Sequence, residues 1–143
     1  MINGVSGADM ITLFDASKFK TKFACEIKGF EPTAFLEKKE ARKIDRFTQI
    51  ALVASDQAVK DAGITKDNVN TDRVGVVFAS GIGGLITFQE EVINFASGDG
   101  TPRFNPFFIP KMILDIAAGQ ISIRHGFRGP NHAVVSACAS STN

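Results

Sequence analysis

Cys138 is the residue with the clearest chemical potential. It lies in GFRGPNHAVVSACASSTN, residues 126–143. Gly126, Gly129 and Pro130 are turn residues. Ala133, Val134, Val135 and Ala137 form a short apolar run of the kind found in a buried strand. Small residues follow: Ser136, Ala137, Ala139, Ser140, Ser141 and Thr142. Ser and Thr favour helix starts because their hydroxyls accept from free backbone N–H groups. The pattern places Cys138 at or just before the first turn of a helix. There the unpaired N–H groups and the positive dipole end favour a thiolate over a thiol. Such a thiolate can attack a carbonyl, small neighbours admit the substrate, and a backbone N–H can hold the oxyanion. A lone Cys after an apolar strand is nonetheless most often a small buried hydrophobe.

Ser80-Gly81-Ile82-Gly83-Gly84 is a glycine-rich loop after a strand, but its GxGG spacing fits neither a dinucleotide fingerprint nor a P-loop. Asn105-Pro106-Phe107-Phe108-Ile109-Pro110 is apolar and bracketed by prolines, neither ordinary helix nor central strand, and suits the wall of a hydrophobic cavity. Lys38, Lys39, Arg42, Lys43 and Arg46 form a basic cluster; it reads as a solvated helix face or as a docking patch for an acidic partner. Adjacent Glu90 and Glu91 point in different directions on a helix, which argues against an acid–base pair. His132 lies six residues before Cys138 on an extended segment, too far back for a Cys–His pair at about 3.3 Å per residue.

The elements that must position these residues follow from periodicity. Residues 1–32 read as loop, with a turn at Ser6, Gly7 and Asp9 and a short strand over 21–27 that sets Phe23, Cys25 and Ile27 on one face. A helix is expected over 33–41, with Pro32 near its start. The clearest helix spans 45–62: Ile44, Phe47, Ile50, Ala51, Ala54, Ala58 and Val59 recur at helical spacing and Gly63 ends it. Residues 65–72 read as a polar surface turn. Residues 74–79 form a continuous apolar strand, as in a parallel sheet covered on both faces. Helices are expected over 85–95 and 111–123, with a Gly/Pro/Asp-rich loop over 97–105 between them. In the second, Ala117, Ala118 and Gly119 are small enough for close approach by the sheet or another subunit. The last strand is expected over 133–137. Strands alternating with helices give an α/β fold with mostly parallel sheet.

With VSACASS, SGIGG, NPFFIP, GFRGP and KKEARKID in order and at approximate family spacing, the chain resembles the β-ketoacyl-acyl carrier protein synthases. These are condensing enzymes of fatty-acid synthesis within the thiolase-like fold, a layered α-β-α-β-α architecture. The bacterial type II elongating synthases are the nearest in pattern. The resemblance covers nearly the whole chain. It implies that Cys138 is the nucleophile that accepts an acyl group from acyl carrier protein, with its own N–H as half of the oxyanion hole. Gly81, Ile82 and Phe108 match positions lining or gating the acyl pocket, and Ile113 one contributed across a homodimer. The resemblance also turns Lys39, Arg42, Lys43 and Arg103 into expected contacts for the acidic carrier protein.

The implied chemistry is a ping-pong Claisen condensation between acyl and malonyl carrier proteins that uses no metal or redox cofactor. The resemblance also implies an incomplete copy. The family has a strand ahead of the position of Met1, and its two catalytic histidines, supporting lysine and second oxyanion donor lie later than Asn143; His125 and His132 do not match them. The chain is thus expected to be the front part of a synthase, inactive and poorly soluble alone. A polyketide ketosynthase, a thiolase, a starter-unit synthase and a non-catalytic carrier-binding fragment remain as alternatives.

Composition sets the outer bounds. The chain has 143 residues, 44% hydrophobic and 22% charged, a globular balance for one domain. Its 13 Phe with no Trp or Tyr suit a closed core or an apolar pocket. A net charge of +1 gives no case for nucleic acid. The two cysteines, Cys25 and Cys138, show no metal spacing. No signal segment or apolar run of membrane-spanning length is visible, so the expectation is a cytoplasmic protein off the membrane, with Cys25 a reduced structural thiol.

Overall fold

The computed structural model describes residues 3–142. Met1, Ile2 and Asn143, which end the segments read above as loop and helix start, lie outside the described residues, as does the Ser141 side chain. The chain divides into two units, Met1–Glu31 and Pro32–Asn143.

In the first unit, β1 (Ala8–Met10) pairs antiparallel with β2 (Phe23–Cys25), with Asp9 opposite Ala24. Asp9 therefore sits in a strand, not in the expected turn. Its carboxylate pairs with Lys28, and the Glu26 carboxylate accepts from both Thr12 N–H (3.0 Å) and Thr12 Oγ1 (2.7 Å), a second tie between the two strand segments. Pairing across some fifteen residues, rather than local turn chemistry, decides this segment. Cys25 is exposed on β2 and carries a free thiol; it is not a core residue.

The second unit begins with a 3-10 turn at Pro32–Ala34, then α1 (Lys38–Ala41) and α2 (Arg46–Asp61). The helix expected over 33–41 is broken at Glu37, whose ψ of 140° is extended, while Leu36 beside it is buried. α2 matches the expected bounds to within a residue at each end, but its expected apolar stripe is not the whole buried face: Ile44 and Ala51 are buried, whereas Ala54 and Ala58 are exposed, because the helix turns Thr48 and Leu52 inward instead. Asp45 caps it by accepting from Phe47 N–H, and Ala51, Leu52 and Val53 are buried. Burying Leu52 alone contributes about 2 kcal/mol.

Thr48 is fully buried, and its Oγ1 has no hydrogen-bond partner among the described residues. Thr48→Val keeps the shape and removes the orphaned hydroxyl. It is expected to stabilise the chain by about 1 kcal/mol, read as a higher denaturation midpoint at unchanged slope.

β3 (Val76–Ala79) leads through the glycine loop into α3 (Leu85–Ala96), then α4 (Phe108–Met112), α5 (Ile116–His125) and β4 (Asn131–Val134). β4 pairs parallel with β3, from Val76 opposite Asn131 to Ala79 opposite Val134. A parallel pair needs a long crossover, which the three helices supply. The turn before β4 sets the register. Gly129 N–H bonds to Val74 C=O (2.9 Å), and Val76 N–H to Pro130 C=O (2.8 Å).

α5 packs on α2 and on both strands. Ala117 and Ala118 are wholly buried, as expected of small residues at a close approach, but a Cβ on Gly119 would meet open space. Three expectations are corrected. The helix over 111–123 is two helices, since Ile113 is extended. α4 begins inside the proline-bracketed segment, because Pro110 falls in the first turn, where a missing N–H costs nothing. β3 is covered on one face only: Val76 is buried, whereas Val77 is 63% exposed.

Candidate acyl-capture site

Cys138 follows β4, but the strand stops at Val134 rather than running to Ala137, because its partner β3 stops at Ala79. The chain then turns sharply. Ala137 has a φ of +49°, a left-handed conformation that side chains rarely adopt and that costs of order 1 kcal/mol or more. A 3-10 helix, Ala137–Thr142, carries Cys138 in its first turn. The buried Ser140 hydroxyl accepts from Ser136 N–H (2.9 Å), and Ala139 N–H bonds back to Ser136 C=O (3.0 Å). The thiol is free and exposed, so it is no buried hydrophobe.

The strands are parallel and in register, so the loop after β3 leaves the sheet at the same end as the turn that carries Cys138. Carboxyl ends of adjacent parallel strands are the usual place for a ligand in such sheets. The loop is not a phosphate cradle. Gly83 N–H bonds to Ser80 Oγ (3.1 Å) and Gly84 N–H to Met112 C=O (3.0 Å). A Cβ on Gly84 would lie 2.3 Å from the Lys111 carbonyl oxygen. The glycines serve close packing on α4. Gly81, which the resemblance places at the acyl pocket, takes no part in that packing: a Cβ there would meet nothing within 4 Å.

Beside this packing lies an open apolar groove, a cavity of about 370 Å³ lined by Ile82, Leu85, Phe88, Met112, Ile113 and Leu114, with Ile82 and Leu85 more than half exposed. Ile82 and Ile113, 31 positions apart in the sequence, are thus brought together within one chain. Phe108 is one ring away: it stacks on Phe88 with centroids 6.3 Å apart, and Phe104 and Phe95 continue the stack. Leu85, Phe88, Met112 and Leu114 were not singled out from sequence; they read there as ordinary helix face. Glu91, set aside above as an acid–base group, has a positioning contact that its spacing does not announce. It accepts from Asn105 N–H (3.1 Å) and so fixes the start of the proline-bracketed segment.

Lys39 and Lys43 line a second cleft with Phe107, and the Lys43 ammonium lies 5.7 Å from that ring's centre. Arg42 lines a separate groove with Ile86 and Glu90. Arg103 lines neither, and pairs with Asp99 at 3.3 Å. The structure therefore groups two of the four expected carrier contacts.

His125 is engaged elsewhere, between Ser55 Oγ (3.2 Å), Asp56 (3.4 Å) and the Phe127 ring. His132 is exposed on β4, level with Val77. Burial holds the His125 imidazole below its ordinary value; the Arg124 cation adds to this and the Asp56 carboxylate opposes it. The folded chain therefore takes up this proton less readily than the unfolded one. The stability is present above the unfolded value of about 6.5 and is lost as pH falls through it. Thermal melts between about pH 7.5 and 5.5 are expected to show that decline, and His125→Gln to flatten it.

Among the described residues, no group of three His, Cys, Asp or Glu side chains could hold a metal ion. None of the described helices is long and apolar enough to cross a membrane.

Residues 5–143 match the model of the β-ketoacyl synthase N-terminal domain. A curated relative, 3-oxoacyl-[acyl-carrier-protein] synthase 2 of Staphylococcus aureus, is 46% identical over 143 residues, covering 99% of this chain and 35% of its own. The chain thus spans about a third of the length of the curated relatives it matches. The fold is similar to that of the ishigamide ketosynthase/chain length factor (TM-score 0.76, 24% identity, 92% of this chain and 33% of that one). It is also similar to that of a chain in the solved complex of a type II polyketide acyl-carrier protein with its ketosynthase (TM-score 0.64, 23% identity, 76% of this chain and 30% of that one). These likenesses establish the thiolase-like α/β fold.

Proposed function

Because the chain belongs to the β-ketoacyl synthase family, whose N-terminal domain it matches over residues 5–143, we propose that it supplies the acyl-capture half of a 3-oxoacyl-acyl carrier protein synthase of fatty-acid elongation. One observation carries the reading. An open apolar groove is lined by Ile82 of the loop after β3, by Leu85 and Phe88 of α3 and by residues 112–114, and that loop leaves the sheet at the end where β4 delivers an exposed cysteine.

In this reading the Cys138 sulfur attacks the thioester carbonyl of an acyl carrier protein. The bond from the carbonyl carbon to the carrier sulfur breaks, and the carrier leaves as the thiol with the proton that Cys138 gives up. The Cys138 N–H holds the oxyanion that forms on attack. The acyl chain lies against Ile82, Leu85, Phe88 and Ile113, and Phe108 backs the Phe88 ring. A malonyl carrier protein then loses CO₂. Its enolate carbon bonds to the acyl carbonyl carbon, and the Cys138 thiolate departs. Lys39, Arg42, Lys43 and Arg103 meet the acidic carrier and raise the rate of encounter. The working unit is a homodimer.

The name of the S. aureus relative supports the fatty-acid substrate class, and the complex of a ketosynthase with its carrier protein supports the partner. The test is incubation with palmitoyl acyl carrier protein followed by intact mass. A mass gain of one palmitoyl group supports the proposal. Its absence both from this chain and from a chimera continued with the rest of the S. aureus relative overturns it.

A further inference from the structure

We propose that Asp45 and Thr87 form a positioning pair that fixes the wall of the apolar cavity, and through it the length of acyl chain retained at Cys138. The proposal rests on the acyl-capture reading above and adds residues to which that reading gives no role.

Asp45 is 6% exposed and Thr87 7%. They stand 42 residues apart, yet one Asp45 oxygen accepts from both Thr87 Oγ1 (2.5 Å) and Thr87 N–H (3.2 Å). The other oxygen accepts from Phe47 N–H (3.2 Å) and caps α2. A single buried carboxylate thus ties the start of α2 to the first turn of α3. Removing a charge from water is costly, and a buried carboxylate persists only where its hydrogen bonds are well made.

The position of Thr87 gives the tie a consequence. α3 packs chiefly on α4, and the Asp45 carboxylate at the start of α2 gives it a second fixed point. Leu85 and Phe88, the two α3 residues that line the cavity, flank Thr87 in sequence. At about 100° per residue, Leu85 and Phe88 lie about 60° apart around the helix and Thr87 points well away from both. Thr87 therefore sets the roll of α3, and the roll sets where Leu85 and Phe88 project. With side-chain tips about 5–6 Å from the axis, a roll of about 20° moves them about 2 Å, more than one methylene step of an acyl chain. The opposite wall, Met112 to Leu114, is anchored by the Gly84–Met112 hydrogen bond to the residue that caps α3, so a roll of α3 turns Leu85 and Phe88 about that fixed end.

The test uses whichever of the two proteins above forms the adduct. Its probes are the N-acetylcysteamine thioesters of octanoate and palmitate, with the mass adduct as readout. Thr87→Val keeps the shape and removes the hydroxyl. It is expected to lower the palmitoyl-to-octanoyl capture ratio by at least about fivefold, the factor that one kcal/mol of lost fit gives. Thr87→Ser keeps the donor and is expected to stay within about twofold of wild type. If Thr87→Val does not remain folded, Asp45→Asn is read by the same ratio, with an expected fall of about twofold or more. Equal loss of both adducts, or an unchanged ratio with adducts retained, overturns the positioning role while leaving the acyl-capture reading intact. Failure of the wild type to capture either chain overturns that reading, and this inference with it.

Discussion

Cys138→Ala is expected to abolish the palmitoyl adduct and leave the melting temperature where it was. The two halves of this expectation have separate causes. The thiol is the only group on its turn able to form a thioester, so its removal leaves no acceptor. The side chain is exposed and free, so its removal opens no cavity and orphans no partner; surface changes of this kind stay within about 0.5 kcal/mol. Cys25→Ala is the matched control. Cys25 is likewise free and exposed, but it sits on the antiparallel β1–β2 ribbon. If acylation were a generic reaction of accessible thiols, both substitutions would reduce it. Loss on Cys138→Ala alone locates the chemistry; equal loss on Cys25→Ala overturns the assignment.

Gly84→Ala is expected to destabilise the chain by about 3 kcal/mol, the upper end of overpacking costs, and to impair acyl capture along with it. A methyl group at this position would meet the Lys111 carbonyl oxygen at 2.3 Å and Met112 Cα at 2.9 Å. These are backbone atoms of α4, so no side chain can swing aside; the loop and the helix must separate. Separation strains the Gly84–Met112 hydrogen bond and moves Met112 and Ile113, which form one wall of the cavity. Gly81→Ala, three residues earlier, is the control. Its Cβ has no neighbour within 4 Å, and the change is expected to be nearly neutral. Thermal melts of the two variants decide the matter: a Gly84→Ala midpoint no lower than that of Gly81→Ala refutes the packing argument.

The sequence alone was enough for whatever depends on neighbours along the chain. α2 was legible almost to its ends because Asp45 and Gly63 each act within one turn of the helix end beside them, and an apolar period runs between them. The strand before the glycine loop, and Cys138 just beyond a later strand, were legible for the same reason. So was the family, whose motifs survive as short strings. Ile82, Phe108 and Ile113 could be assigned to a pocket by resemblance, but nothing in their spacing says that they meet.

Tertiary structure alone decided the rest. It cut the helix expected over 111–123 in two at the point where Met112 gives its carbonyl to Gly84. It drew Asp9 into a strand through a partner fifteen positions away, and left one face of β3 open at Val77. It joined Asp45 to Thr87, a bond for which Asp45's local role as a helix cap gave no hint. Helix caps, turns and apolar periods are written in adjacent residues because their hydrogen bonds close within one turn. A cavity wall or a buried carboxylate's partner is fixed only when distant segments pack, and packing leaves no period in the sequence.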